Sequence, residues 1–193
     1  VVFDECKSGG RYSEFTAAQH YGVQPDLLVL SKCLANGWPL ACVVGTADVM
    51  ACLEPGWRDR GPVYISGTYS GETASLAAAQ ATLRVWERDK VGDRLGVAGG
   101  VLSSCLKALA EHGIAIGGTF YRLLLEVPSV QIRTAVAAFL ADRGHQIAPF
   151  GGWNLTAAHT LDDMSGVAAA FQGAMDAIDA HYDGGRPVVP LYI

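Results

Sequence analysis

The sequence predicts an α/β fold: the carboxyl-terminal part of a large domain with mostly parallel buried strands over residues 1–88, then a small α+β domain and tail over residues 89–193. Three observations carry that reading. Two unbroken apolar runs, residues 1–3 and Leu27, Leu28, Val29 and Leu30, are separated by a loop and a short helical stretch, an interval that suits a crossover between parallel neighbours. After about residue 90 the pattern changes to helices with apolar stripes around a strand, the signature of a separate α+β unit. The chain also opens without Met, directly in a strand-like apolar run, so its natural beginning is expected upstream.

Residues 1–3 read as a buried strand that exits through Asp4 and Glu5 into a loop at Ser8, Gly9 and Gly10. Residues 15–21 are a short helix closed by Gly22, and Pro25 and Asp26 open the second strand, which ends at Ser31 and Lys32. Asn36, Gly37, Trp38 and Pro39 form a turn before a third apolar strand at residues 40–44. A helical stretch at residues 48–53, a loop at 54–62 and a brief strand at 63–65 follow. Residues 73–88 are an Ala-rich helix with Leu76, Ala79, Leu83 and Trp86 at helical spacing.

In the second part, Leu95, Leu102, Leu106 and Leu109 share a helix face that Gly113 closes, and residues 119–127 read as a strand. Ser129, after Pro128, is a predicted N-cap for a helix carrying Ile132, Val136, Phe139 and Leu140, ended by Gly144. Thr160 and Asp163 have the spacing of a capping box for a last helix, with Met164, Val167, Phe171, Ala174, Ile178 and Tyr182 on one face.

Composition excludes several function classes. At 193 residues and 50% hydrophobic content the chain can bury a core, and it is not disordered. A net charge of −5 argues against nucleic acid and anionic membrane as partners, since both need clustered Lys and Arg. No run reaches the about 18 to 20 apolar residues of a membrane span, and no stretch of the 193 residues reads as a basic-then-apolar leader before a cleavage site. The five cysteines lack metal-site spacing and most sit in apolar runs, which implies neither disulfides nor a metal site and favours a cytoplasmic setting.

Lys32 is the informative lysine. It ends, with Ser31, a strand of four apolar residues and precedes Cys33, Leu34 and Ala35, so its ammonium is expected to be desolvated, and desolvation favours the neutral amine that attacks an aldehyde. Lys90 and Lys107 lie on amphipathic helices as solvated charges. The plain alternative for Lys32 is a stem snorkelling at a strand end. Asp4 likewise ends an apolar strand, and parallel neighbours would place both side chains at the carboxyl edge of one sheet, where α/β folds bind ligands. A structural ion pair is the alternative there.

The runs VVFDECKSGGR, YGVQPDLLVLSKCLANGWPLACVVG and SGTYSGETASLAAAQATL resemble, in order and interval, three landmarks of the class III aminotransferases, pyridoxal-phosphate enzymes of fold type I. The resemblance covers residues 1–87 and continues more weakly through Arg143, Gly144, Ala158, His159 and Thr160. It implies that Lys32 is the Schiff-base residue and later the proton shuttle, and that Asp4 pairs with the pyridine nitrogen of pyridoxal 5'-phosphate. Cys6 stands where the family usually places a Val or Ile against the ring. Thr68, after Gly67, would reach the cofactor phosphate across the interface of a homodimer with shared active sites.

The resemblance further implies small-molecule amine and keto or aldehyde substrates. Family members are roughly twice this long, and their amino-terminal half supplies a Gly-Ser phosphate cradle and a ring-stacking aromatic that this chain does not contain. The turn at Asn36 and the run from Gly71 to Leu76 look most like a subgroup of aminomutase-like proteins and aminotransferases of sugar and cell-envelope pathways. Amino-group transfer through a Lys32 imine is the leading reading. Its alternatives are a glutamate-1-semialdehyde aminomutase-like intramolecular transfer, a noncatalytic fragment without cofactor, and an unrelated binding module. Arg122, Arg133 and Arg143 read as surface charges and His159 as a structural residue before the last helix.

Overall fold

The computed structural model describes residues 1–59, 61–107, 115–126, 129–148, 152–179, 182–183 and 186–187. It divides into two compact units, Val1–Asp93 and Arg94–Ile193.

In the first unit, β1 (Val2–Glu5) pairs in parallel with β2 (Leu27–Leu30), and β2 pairs antiparallel with β3 (Cys42–Gly45). Leu28 and Leu30 project into a core with Leu34, Ala35 and Ala79, joined by Phe15, Leu40, Cys42 and Ala78. The apolar runs are less buried than their sequence predicts: Val1, Val2, Val43 and Val44 are exposed. Continuous apolar strands are built for cover on both faces, and among the described residues these positions have none.

The connection between β1 and β2 carries α1 (Ala17–His20). Its amino end is held by Thr16, whose hydroxyl accepts from the Gln19 N–H, and by Glu5, a carboxylate only 2% exposed. Glu5 accepts from the backbone N–H groups of Ala17 (2.7 Å) and Ala18 (2.8 Å) and from the Ser8 hydroxyl (3.2 Å). Three donors, two of them orphan helix amides, explain how a charge can be buried here.

After β3 come α2 (Ala47–Met50), running into a 3-10 turn at Ala51–Leu53, and then α3 (Thr73–Arg88). The side chain of Glu72 caps α3 by accepting from Ala74 N–H (3.0 Å) and Ser75 N–H (2.6 Å). The buried face of α3 differs from the expected one: Ser75 and Ala79 are inside, whereas Leu76 and Leu83 are exposed. Small side chains at 75 and 79 let the helix approach the segment after β2, and Trp86 anchors its far end by donating to Gly10 O at 3.1 Å. The brief strand expected at residues 63–65 does not form. Tyr64 and Ile65 are exposed, and the backbone of Val63 bonds to Cys52 O instead of a strand ladder.

The second unit takes most of α4 (Val91–Leu106), then an antiparallel sheet of β4 (Ala115–Thr119), β5 (Arg122–Glu126) and β6 (Trp153–Asn154) in that order, with α5 (Val130–Asp142) and α6 (Leu161–Asp179). The expected single strand at 119–127 is therefore a hairpin, turned at Phe120 and Tyr121. Two-residue strands β7 (Tyr182–Asp183) and β8 (Arg186–Pro187) pair beyond α6, so Tyr182 leaves the helix face assigned to it. Leu95, Leu102, Leu106, Ile132, Val136, Leu140, Met164, Phe171, Ala174 and Ile178 are buried, as their spacing predicts. Leu109, Gly113, Val127 and Pro128 lie outside the described residues.

Two predictions arise here. A Cβ at Gly99 would stand 2.0 Å from the Phe120 carbonyl oxygen, which is backbone and cannot rotate away. Gly99→Ala is expected to cost about 2 to 3 kcal/mol, read as a lower urea midpoint with unchanged slope. The capping box before α6 is reciprocal: Asp163 Oδ2 accepts from Thr160 N–H (2.7 Å) and hydroxyl (2.8 Å), and Asp163 N–H donates to Thr160 Oγ1 (3.1 Å). Thr160→Ala should lower the melting temperature by about 2 to 4 °C.

The same bonds, the Thr160 backbone donor first, hold the Asp163 carboxyl below its ordinary value. A depressed folded-state pKa contributes stability that is complete above the unfolded value and is lost as pH falls through the folded one. The melting-temperature gap between parent and Asp163→Asn is therefore expected to close on acidification below the usual carboxylate range.

Candidate active site

Parallel pairing sets Asp4 opposite Val29 and Glu5 opposite Leu30, so the chain leaves β1 and β2 at the same sheet edge, with Lys32 two residues beyond Leu30. Asp4 and Lys32 lie within each other's field, and the ammonium helps to hold the carboxyl below its ordinary pKa. The largest cause is local: the Cys6 backbone N–H donates to Asp4 Oδ1 at 3.0 Å, and the Cys6 thiol adds a second hydrogen bond. The same contact raises the Cys6 thiol, because a thiolate would face a carboxylate, and burial acts in the same direction. Asp4, Cys6 and Lys32 are thus one cluster.

Lys32 itself corrects the sequence expectation. It is exposed, not desolvated, because it stands beyond the strand end in a 3-10 turn (Lys32–Leu34) and not within the apolar run. Asp4 is exposed as well. Lys32 lines an open pocket of about 410 Å³ together with Arg11, Ser31, Cys33, Asn36 and Trp38. Sequence reasoning passed over Arg11 and gave Trp38 only to a turn. The available signal was the position of Arg11 at the close of the first motif and the spacing of Trp38 from Lys32.

Gly67 and Thr68 are not brought to this cluster. They are exposed in the irregular stretch between α2 and α3, where Ser70 N–H bonds to Gly67 O at 3.0 Å, and they do not line the Lys32 pocket. In the second unit, His159 accepts the Thr156 N–H at Nδ1 (3.0 Å), a bond that shapes the approach to α6. Arg143 stacks on the Phe139 ring at 3.5 Å and is exposed. No helix among the described residues is long and apolar enough to cross a membrane.

Comparison with known proteins bears on the family and the fold. The model of the aminotransferase class-III family matches residues 1–154. The chain is 32% identical, over 92% of its length and 46% of the relative's, to a glutamate-1-semialdehyde 2,1-aminomutase of Cenarchaeum symbiosum. It is 27% identical, over 92% of its length and 42% of the relative's, to an aminopentol aminotransferase of Sphingopyxis macrogoltabida. Among solved structures, the FumI protein of Sphingopyxis sp. MTA144, in its PLP internal aldimine form, superposes with a TM-score of 0.81 at 26% identity, over 96% of this chain and 45% of that one. The chain thus spans less than half the length of these relatives. It belongs to the class III aminotransferase family.

Proposed function

We propose that the chain carries the lysine-bearing part of a pyridoxal 5'-phosphate-dependent amino-group transfer site. The observation that carries this reading is the placement of a lysine and a carboxylate at the carboxyl ends of parallel neighbours, in each other's field and beside an open pocket. The donor set fits the cofactor: a primary amine for its aldehyde, a carboxylate held ionised for its ring nitrogen, and a neutral thiol for its apolar face. When bound, pyridoxal 5'-phosphate supplies an electron sink that acidifies the amine-bearing carbon of a substrate.

The residues then have separate tasks. Lys32 would hold the aldehyde and afterwards carry the proton between substrate atoms. Asp4 keeps the ring nitrogen protonated, and Cys6 orients the Asp4 carboxylate by donating to it. Gly67 and Thr68, which stand apart from Lys32 in their own chain, would serve the phosphate in a second copy of a cytoplasmic homodimer. Residues 1–88 belong on this reading to the large cofactor domain and residues 89–193 to the small one. Substrates are a small amine and a keto or aldehyde acceptor, with no nucleic-acid or membrane partner.

Intramolecular transfer is the second reading, favoured by the higher identity to aminomutases than to the aminopentol aminotransferase. A requirement for a separate keto acid separates the two. The first test is borohydride reduction of the protein with pyridoxal 5'-phosphate, followed by peptide mass spectrometry. Label is expected on Lys32 in preference to Lys7, Lys90 and Lys107. Equal label on all of them would return the chain to the reading of a fragment that does not retain the cofactor.

A further inference from the structure

Lys32 has φ +48°, a left-handed conformation that a residue with a Cβ adopts only when its surroundings impose it. Lys90 is left-handed too, at φ +51°, but it stands just beyond the end of α3, where such a residue commonly ends a helix. Lys32 ends no helix. It opens a turn, so the constraint must come from its neighbours.

Both neighbours are tied to other segments by their side chains. The Ser31 hydroxyl donates to Leu40 O at 2.9 Å, and the Cys33 thiol donates to Gly9 O at 2.6 Å. The second tie is built to fit. A Cβ at Gly10, where φ is +74°, would stand 2.7 Å from Cys33 Sγ, so a glycine at position 10 leaves room for the thiol in this turn. The Gly9 and Gly10 turn is itself fixed, with Gly9 N–H bonded to Glu5 O (3.0 Å), Gly10 N–H to Phe15 O (2.6 Å) and Gly10 O to the Trp86 indole (3.1 Å). Burial raises the Cys33 thiol above its ordinary pKa, which keeps it a protonated donor.

We propose that Ser31 and Cys33 are positioning residues: their two tethers hold Lys32 in its left-handed backbone and thereby set how fast its neutral amine condenses with the cofactor aldehyde, a C=N bond forming as the two amine protons and the aldehyde oxygen leave as water. The proposal rests on Lys32 being the cofactor lysine. A rigid base for a flexible four-carbon stem restricts the amine to fewer positions, and capture gains in rate as the approach geometry is pre-set.

The test uses the whole protein and two probes. Pyridoxal 5'-phosphate with borohydride quenching gives the rate of Lys32 modification, and pyridoxine 5'-phosphate, which has no aldehyde, gives binding without capture. Cys33→Ala and Ser31→Ala should each slow modification by about tenfold while leaving pyridoxine 5'-phosphate affinity within about twofold. Cys33→Ser should recover most of the rate, because its hydroxyl can donate to Gly9 O. Modification at the parent rate in both alanine variants would overturn the proposal. So would a Cys33→Ser as slow as Cys33→Ala, or a matching loss of pyridoxine 5'-phosphate affinity, which would mark general damage to the site. Failure to modify Lys32 in the parent would instead remove the functional reading beneath it, and the two failures are told apart by that control.

Discussion

Replacing Lys32 with alanine is expected to abolish trapping of pyridoxal 5'-phosphate at this site and to lower turnover of the whole protein by about four orders of magnitude or more. The size of the effect follows from the lack of a substitute amine in the right place. Lys7 shares the field of Asp4, but it is exposed in the loop after β1 and does not line the Lys32 pocket. Lys90 follows the end of α3. Lys107 is the strongest rival, since it lines a cavity of about 280 Å³ with Ser103, Ser104 and Thr119. Among the described residues that line it there is no carboxylate to hold a ring nitrogen protonated. Peptide mapping after reduction decides the matter: trapping in Lys32→Ala at the parent rate, or transferred wholly to Lys107, would sink the assignment.

What the sequence made legible was mostly what short-range chemistry determines. The limits of α3, the Ser129 cap whose hydroxyl accepts from Ile132 N–H, and the reciprocal Thr160 and Asp163 box are each set within a few residues. The parallel partnership of β1 and β2 was legible because its crossover interval and two apolar runs admit few other arrangements.

The misreadings share a different cause. Leu76 and Leu83 suggested the inner face of α3, but the contact with Leu34 and Ala35 is close and selects the small residues Ser75 and Ala79. The strand expected at 119–127 missed the hairpin at Phe120, whose first arm runs through Gly117 and Gly118, residues that carry no side chain to mark a strand, although both pair with β5. At the site, the apolar neighbours of Lys32 in sequence predict burial, whereas in the 3-10 turn beyond the strand end it is exposed. The Cys33 contact with Gly9 could not be read at all, since it joins loops whose approach depends on the whole β1 to β2 connection. Local rules therefore singled out Lys32 and Asp4, and only the fold disclosed the bonds that hold their neighbours.

Asp4→Asn is expected to leave cofactor binding measurable and to slow turnover by about two to three orders of magnitude. Asn keeps the size of Asp and an oxygen that can still accept the Cys6 N–H, so the local bond at 3.0 Å survives and the variant isolates charge from shape. What it loses is the anion. Cys6 donors and the Lys32 charge hold the Asp4 carboxyl below the ordinary carboxylate range, so in the parent it stays ionised at neutral pH and for some distance below it. An ionised Asp4 would favour a protonated ring nitrogen, and a protonated ring would withdraw electrons more strongly from the amine-bearing carbon. The acid limb of the parent's turnover should consequently lie below the usual carboxylate pKa, as far as Asp4 governs it, and should vanish in the variant. Deuterium exchange at the amine-bearing carbon measures the step directly. Exchange should slow in Asp4→Asn in proportion to turnover, and equal exchange rates in parent and variant would place the role of Asp4 outside proton removal.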